Sequence, residues 1–108
     1  MSHKTYTKKG LFTEDFILYS ELKLTERILL ADIYTMTKLG TVEYFELNET
    51  IGILLSCGIS SVKIVLNSLE KKGFIRRVYK RYVGTIKTER RIIIVQSKIL
   101  ELKNNYKK

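Results

Sequence analysis

Residues 51–75 read IGILLSCGISSVKIVLNSLEKKGFI, and this stretch decides the fold. In its second part Val62, Val65, Leu66 and Leu69 recur at i, i+3, i+4 and i+7, which predicts a helix from Ile59 to Lys72 with one buried stripe. Gly73 stands where a left-handed residue stops a helix. In the first part Ile51, Leu54 and Leu55 point inward from a helix spanning Glu49 to about Ser56, with Asn48 placed to cap it. Gly52 lies in the middle of that helix at a cost of about 1 kcal/mol relative to alanine, so a close approach of neighbouring chain is expected there. Two short helices separated by a tight turn result.

Outward to the C-terminal side, Phe74–Tyr82 (FIRRVYKRY) and Glu89–Gln96 (ERRIIIVQ) are strand-like runs on either side of a turn signal at Gly84, which predicts a hairpin. Alternation sends Arg77 and Arg81 to one face and Arg76 and Lys80 to the other. Ser97 then offers a cap for a last helix with Ile99, Leu102 and Tyr106 on one side. Outward to the N-terminal side, Thr41–Leu47 (TVEYFEL) alternates as one short strand. Before it, Leu24-Thr25-Glu26 predicts a helix capped by Thr25 and stapled by Leu24 and Leu29, running through Ile28, Leu29, Leu30, Ile33, Tyr34 and Met36 until Gly40. Thr13 is placed to cap a shorter helix, with Glu14 and Asp15 in its first turn and Phe12 and Ile17 as a staple. Residues 1–10 are polar and basic and are expected to form a flexible arm on a domain of residues 11–108. The expected class is α+β, in the order helix, helix, strand, helix, helix, hairpin, helix.

A chain of 108 residues has room for one domain. Its longest apolar stretch, Ile51–Leu55, is far below the ~20 residues of a membrane span, and the N-terminus lacks the apolar run of a signal peptide. One cysteine, Cys57, and one histidine, His3, support neither an internal disulfide nor a Cys/His metal cluster. No Gly-rich phosphate loop and no Cys/His pairing is present, so no enzyme and no cofactor is expected, and a cytoplasmic location fits. The net charge of +9 is unevenly placed. Residues 1–58 hold six Lys and Arg against eight Asp and Glu, whereas residues 59–108 hold fourteen against three, net +11. Such asymmetry points to a polyanionic partner.

Over Ile51–Ile75 the chain resembles, without gaps, the winged helix-turn-helix family of DNA-binding domains. Ile51-Gly52 matches the apolar-then-small pair of the first motif helix, Leu55 the buried position before the turn, Ser56 and Cys57 the turn, and Gly58 the cap of the recognition helix. Ser60-Ser61-Val62, Leu66 and Leu69 fall on the family's helix pattern, and Leu69-Glu70-Lys71-Lys72-Gly73-Phe74-Ile75 on its junction into the wing. Thr25–Leu39 is similar to the leading helix of small transcription regulators and of plasmid and phage replication initiators. The resemblance covers about residues 12–96. It implies a single winged helix-turn-helix domain that binds duplex DNA as a regulator of transcription or replication, as in mobile elements.

The DNA-binding residues then expected are Ser60, Ser61, Lys63, Ile64, Asn67 and Lys71 on the recognition helix and Arg81, Lys87, Arg90 and Arg91 on the wing. Lys63 and Asn67 are the base readers, an ammonium for guanine acceptors and an amide for adenine, while Lys87, Arg90 and Arg91 are phosphate or minor-groove contacts. Ile59 and Ile64 depart from the polar residues common in the family. They favour the alternative, a winged-helix interaction module docking on an acidic host or replication protein. A homodimer is a further expectation, with the last helix as its seam, set against packing of that helix on the leading helix within one chain.

Overall fold

The computed structural model describes residues 5–6, 12–37, 43–81, 83–84 and 88–106. Strands β1 (Thr5–Tyr6) and β2 (Phe12–Thr13) pair antiparallel, with Thr5 opposite Thr13. The rest of the expected arm lies outside the described residues. Because Thr13 is spent in this pairing, helix α1 (Asp15–Leu18) has Glu14 rather than Thr13 at its N-cap, and no side chain caps it.

Helix α2 (Leu24–Thr37) runs through the middle of the molecule and buries Leu29, Leu30, Ala31 and Ile33 completely. It begins two residues earlier than a Thr25 cap requires. The Glu26 carboxylate reaches back to accept the Lys23 backbone N–H at 2.9 Å, the acidic half of a capping box, and Leu24 is left exposed rather than stapled. The expected end at Gly40 lies outside the described residues.

The strand expected at Thr41–Leu47 is reduced, among its described residues, to a single bridge between Tyr44 and Ile92, with the Ile92 N–H donating to the Tyr44 carbonyl at 3.0 Å. The buried Tyr44 hydroxyl donates to Asp32 Oδ2 at 2.6 Å and ties this segment to α2. Burial pushes the Asp32 carboxyl above its ordinary value, against the opposing effect of that hydrogen bond.

Helices α3 (Asn48–Leu55) and α4 (Ile59–Lys71) follow, their axes bent by 92° across the turn. Gly52 has the reason the sequence demands. A Cβ there would stand 2.7 Å from the Cys57 carbonyl oxygen, and the Cys57 N–H donates to the Gly52 carbonyl at 2.9 Å. The close approach is therefore made by the turn, with Val62 of α4 at an ordinary 3.6 Å. Ser56 takes the left-handed conformation (φ 55°) that closes the first helix. Asn48 does not cap α3, since Leu47 occupies the N-cap without a side-chain bond and the Asn48 side-chain Oδ1 accepts from Arg90 instead.

Helix α4 ends as its sequence dictates. Gly73 has φ +87°, its N–H donates to the Glu70 carbonyl at 3.0 Å, and the Phe74 N–H donates to the Leu69 carbonyl at 3.0 Å, the paired bonds of a Schellman motif. The chain turns directly into β3 (Ile75–Arg81), which pairs antiparallel with β4 (Thr88–Ile94), Ile75 opposite Ile94 and Arg81 opposite Thr88. Ile75, Ile92 and Ile94 are buried and fasten the base of this hairpin to the core. Helix α5 (Gln96–Tyr106) starts one residue before the expected Ser97 cap, with the Val95 carbonyl accepting from Lys98 and Ile99. The architecture is α+β, mainly helical, with two helices joined by a tight turn and followed by a two-stranded antiparallel hairpin, the expected wing.

One buried carboxylate connects the two principal helices. Glu26, 1 % exposed, accepts hydrogen bonds from the Ser68 hydroxyl and from the Lys72 ammonium at 2.8 Å, besides the Lys23 N–H. Burial pushes this carboxyl up, but the bonds from Lys72, Ser68 and Lys23, together with the lysine charge, outweigh it and hold it below its ordinary value. A native value below the unfolded one gives stability that is complete above about pH 4.5 and is lost as pH falls through the native value. Glu26→Gln is expected to cost about 2 kcal/mol near neutrality, the range for hydrogen bonds to a charged group, and to flatten this acid loss. Lys72→Met should also shrink or reverse this acid loss, because it removes the bond and charge that lower the carboxyl and leaves the burial that raises it. Urea unfolding at a series of pH values measures both, and an acid profile unchanged by either substitution contradicts the assignment.

Candidate functional site

The stripe of α4 opposite its buried residues faces solvent. Ser60, Ile64, Asn67 and Lys71 succeed one another at spacings of three and four residues and are all exposed, with the exposed Ser61 and Lys63 beside them. The helix recognition surface expected from the sequence is thus brought together on one face. Its single carboxylate, Glu70, is held by the wing. The Arg77 guanidinium donates from Nε to Glu70 Oε1 at 2.7 Å and from Nη2 to Asn67 Oδ1 at 2.7 Å. These bonds from Arg77 lower the Glu70 carboxyl against a smaller opposing effect of burial.

Strand register sorts the wing residues. Cross-strand partners share a face, so the face bearing buried Ile75, Ile92 and Ile94 also carries Arg77, Tyr79, Arg81, Thr88 and Arg90. Arg76, Val78, Lys80, Glu89, Arg91 and Ile93 lie on the other. The alternation expected for Arg77 and Arg81 against Arg76 and Lys80 is observed, whereas Arg90 and Arg91 fall on opposite faces. Between the wing's inner face and the start of α4 lies a cleft of about 680 Å³ lined by Ile59, Lys63, Tyr79, Thr88 and Arg90, and closed by Phe45–Glu49. Tyr79, directly opposite Arg90, is a cleft residue that sequence reasoning passed over, although an aromatic interleaved with basic residues in FIRRVYKRY was the available signal.

Two of the expected wing contacts, Arg90 and Arg91, are engaged within the chain. Arg90 donates from Nη1 to Asn48 Oδ1 at 2.7 Å and from Nη2 to the Glu46 carbonyl at 2.7 Å, clamping the segment before α3 to the wing. Arg91 pairs with Glu43 at 3.0 Å and with Glu89 at 3.5 Å, and lies over the Phe45 ring at 5.3 Å. Lys87 lies outside the described residues. Lys63, Lys71 and Arg81 are exposed and form no ion pair with any described residue.

The face of α5 proposed as a dimer seam is occupied within the chain. Ile99 is buried, Leu102 packs on the core, Tyr106 stacks on Tyr19, and Lys103 stands 5.2 Å from the Phe16 ring. Cys57 is a partly buried turn residue packed against the core, and among the described residues no group of acidic, Cys and His side chains could hold a metal ion. No described single helix is long and apolar enough to cross a membrane.

Arg90→Ala should destabilise the fold by about 1–3 kcal/mol by leaving the Glu46 carbonyl and the Asn48 oxygen unpaired, and Arg90→Lys should not restore it because a lysine cannot fork between two acceptors. Lys63→Ala and Arg81→Ala should stay within about 0.5 kcal/mol. Denaturant unfolding separates the two groups. Equal, negligible effects for all three would show that Arg90 is an ordinary surface cation.

No family model and no curated protein matches the chain. Among solved structures it is similar to one described as "N-Terminal domain of DNA binding protein", with 15% sequence identity, a TM-score of 0.52, and 96% of this chain aligned to 98% of that one. At that identity the likeness concerns the fold, which the two chains share over nearly their whole lengths.

Proposed function

We propose that this chain binds duplex DNA, laying the exposed stripe of α4 in the major groove and the wing against the backbone, as a regulator of transcription or replication. The observation that carries the reading is the sorting of charge on that surface. Lys63, Lys71 and Arg81 are unpaired among the described residues, while the nearby carboxylate of Glu70 is neutralised by Arg77. A helix of this length extends about 20 Å, and its small residues Ser60 and Ser61 permit close approach of the groove walls. The similar solved structure, described as part of a DNA binding protein, supports the same reading.

In this arrangement Lys71 and Arg81, with Lys87 that precedes β4 in sequence, meet phosphates, and Ser60, Ser61, Lys63, Ile64 and Asn67 meet base edges. Phosphate contacts set position and base contacts set preference. Arg90 and Arg91 serve the interface indirectly, by holding the wing against Glu43–Asn48.

The cleft favours a second reading, a protein-interaction module. Phe45, Leu47, Ile59 and Tyr79 give it exposed apolar and aromatic lining, and Glu46, Glu49 and Glu89 stand among them. Those carboxylates suit a basic partner segment better than the acidic one expected from composition.

For DNA, three or four neutralised phosphates give a slope of log affinity against log salt of about −3 to −4, at roughly −0.9 per phosphate. Lys71→Ala and Arg81→Ala should each make that slope shallower by about 1 and weaken binding to all sequences alike, whereas Lys63→Ala should act mainly on the preferred sequence. Fluorescence anisotropy with labelled duplexes over a salt series measures it. A flat profile removes duplex DNA as the partner and gives the interaction module precedence.

A further inference from the structure

We infer that Ile64 and Asn67 act together as a reader of thymine, an assignment that rests on the DNA-binding reading and specifies what it recognises. Arginine carries donors only, so the Asn67 atom 2.7 Å from Arg77 Nη2 has to be its carbonyl oxygen. Arg77 is itself fixed by Glu70 through its Nε and backbone N–H, at 2.7 and 3.2 Å, which sets the plane of the Asn67 amide. The oxygen is turned to the wing, and the amide nitrogen, which bonds no described residue, lies on the opposite side of the carboxamide. Asn67 therefore offers a ligand a donor. Its acceptor is shared with Arg77, so the two-atom contact with adenine competes with that bond, whereas a single contact through the donor does not.

Ile64 stands three residues earlier on the same stripe and is 67 % exposed, in the middle of a face otherwise made of Ser60, Ser61, Asn67 and Lys71. Neighbours at this spacing have Cβ atoms about 5–6 Å apart. The surface thus presents an apolar group beside a hydrogen-bond donor. Of the four bases, thymine alone displays in the major groove the matching combination, a C5 methyl next to an O4 acceptor. Cytosine has no methyl and offers a donor at N4, which would face the Asn67 donor. Guanine and adenine carry no methyl at all.

Alternating dA·dT duplex, its counterpart with dU for dT, and alternating dG·dC duplex with and without the 5-methyl group on dC are the probes. Deoxyuridine keeps the pairing and the O4 acceptor but removes the methyl; 5-methyl-dC supplies the methyl without the acceptor. The chain is expected to bind the dT duplex about fourfold more tightly than the dU duplex for each methyl covered, the equivalent of one buried carbon. Ile64→Ala should bind the two alike. Asn67→Ala should retain the methyl effect while losing the preference for dT over 5-methyl-dC. Circular dichroism of both variants establishes that they fold, as exposed positions should. Equal, salt-dependent binding of dT and dU duplexes by the unmodified chain overturns the thymine assignment while leaving DNA binding in place. A methyl effect that persists in Ile64→Ala overturns it as well. Absence of binding to every duplex overturns the DNA-binding reading and this inference with it.

Discussion

The position of α4 depends on one buried carboxylate. Glu26 sits in the first turn of α2, where the unpaired N–H groups and the helix dipole favour a negative charge, and its two long-range partners are Ser68 in the last turn of α4 and Lys72 at its C-cap, where a cation is favoured. The interaction therefore joins the end of one helix to the start of another at the depth of the core. Apolar packing alone, through Leu29, Leu30, Val62, Leu66 and Leu69, leaves a helix some freedom to slide or rotate; a hydrogen-bonded ion pair at one end removes it. Immediately beyond Lys72, Gly73 reverses the chain into β3, so fixing this end of α4 also fixes the direction in which the wing leaves the core.

With that anchor in place, the cations of the second half of the chain divide by what they touch. Lys72, Arg77, Arg90 and Arg91 have carboxylate or carbonyl partners and build the domain. Lys63, Lys71 and Arg81 stand on the outer side of α4 and the inner face of the wing and give it a field. Arg77 belongs to both groups in effect, since by neutralising Glu70 it clears a negative charge from the exposed face of α4, and by bonding Asn67 it engages one end of the amide. A basic half of net +11 is thus a mixture of scaffold and surface, and composition cannot separate them.

Much of the fold is legible along the chain because its determinants are local. The buried stripe of α4, the stop at Gly73, the close approach at Gly52 and the two faces of the wing all follow from spacing and from what glycine permits. Long-range partners account for the differences. Asn48 reads as a helix cap until Arg90, forty-two residues away, takes its oxygen. Glu26 reads as an ordinary first-turn acid, and only the packed structure brings Ser68 and Lys72 to it. The segment around Tyr44 has strand chemistry but makes one bridge, because the Glu46 carbonyl is bonded by an arginine side chain instead of a strand. For the candidate site, alternation and helical spacing placed Ser60, Lys63, Ile64, Asn67 and Lys71 on one face correctly, while the engagement of Arg90 and Arg91 depended on acceptors distant in sequence.

The central claim is that the solvent face of α4 and the inner face of the wing are the DNA surface of this chain. Amide chemical shifts of isotope-labelled protein, followed while a short duplex is added, test it residue by residue. The account predicts that the largest changes fall on Ser60, Ser61, Lys63, Ile64, Asn67, Lys71 and Arg81, with Phe16–Leu22 and α5 unmoved. Changes concentrated on Phe16–Leu22 and α5, with the amides of α4 and the wing silent, would contradict it.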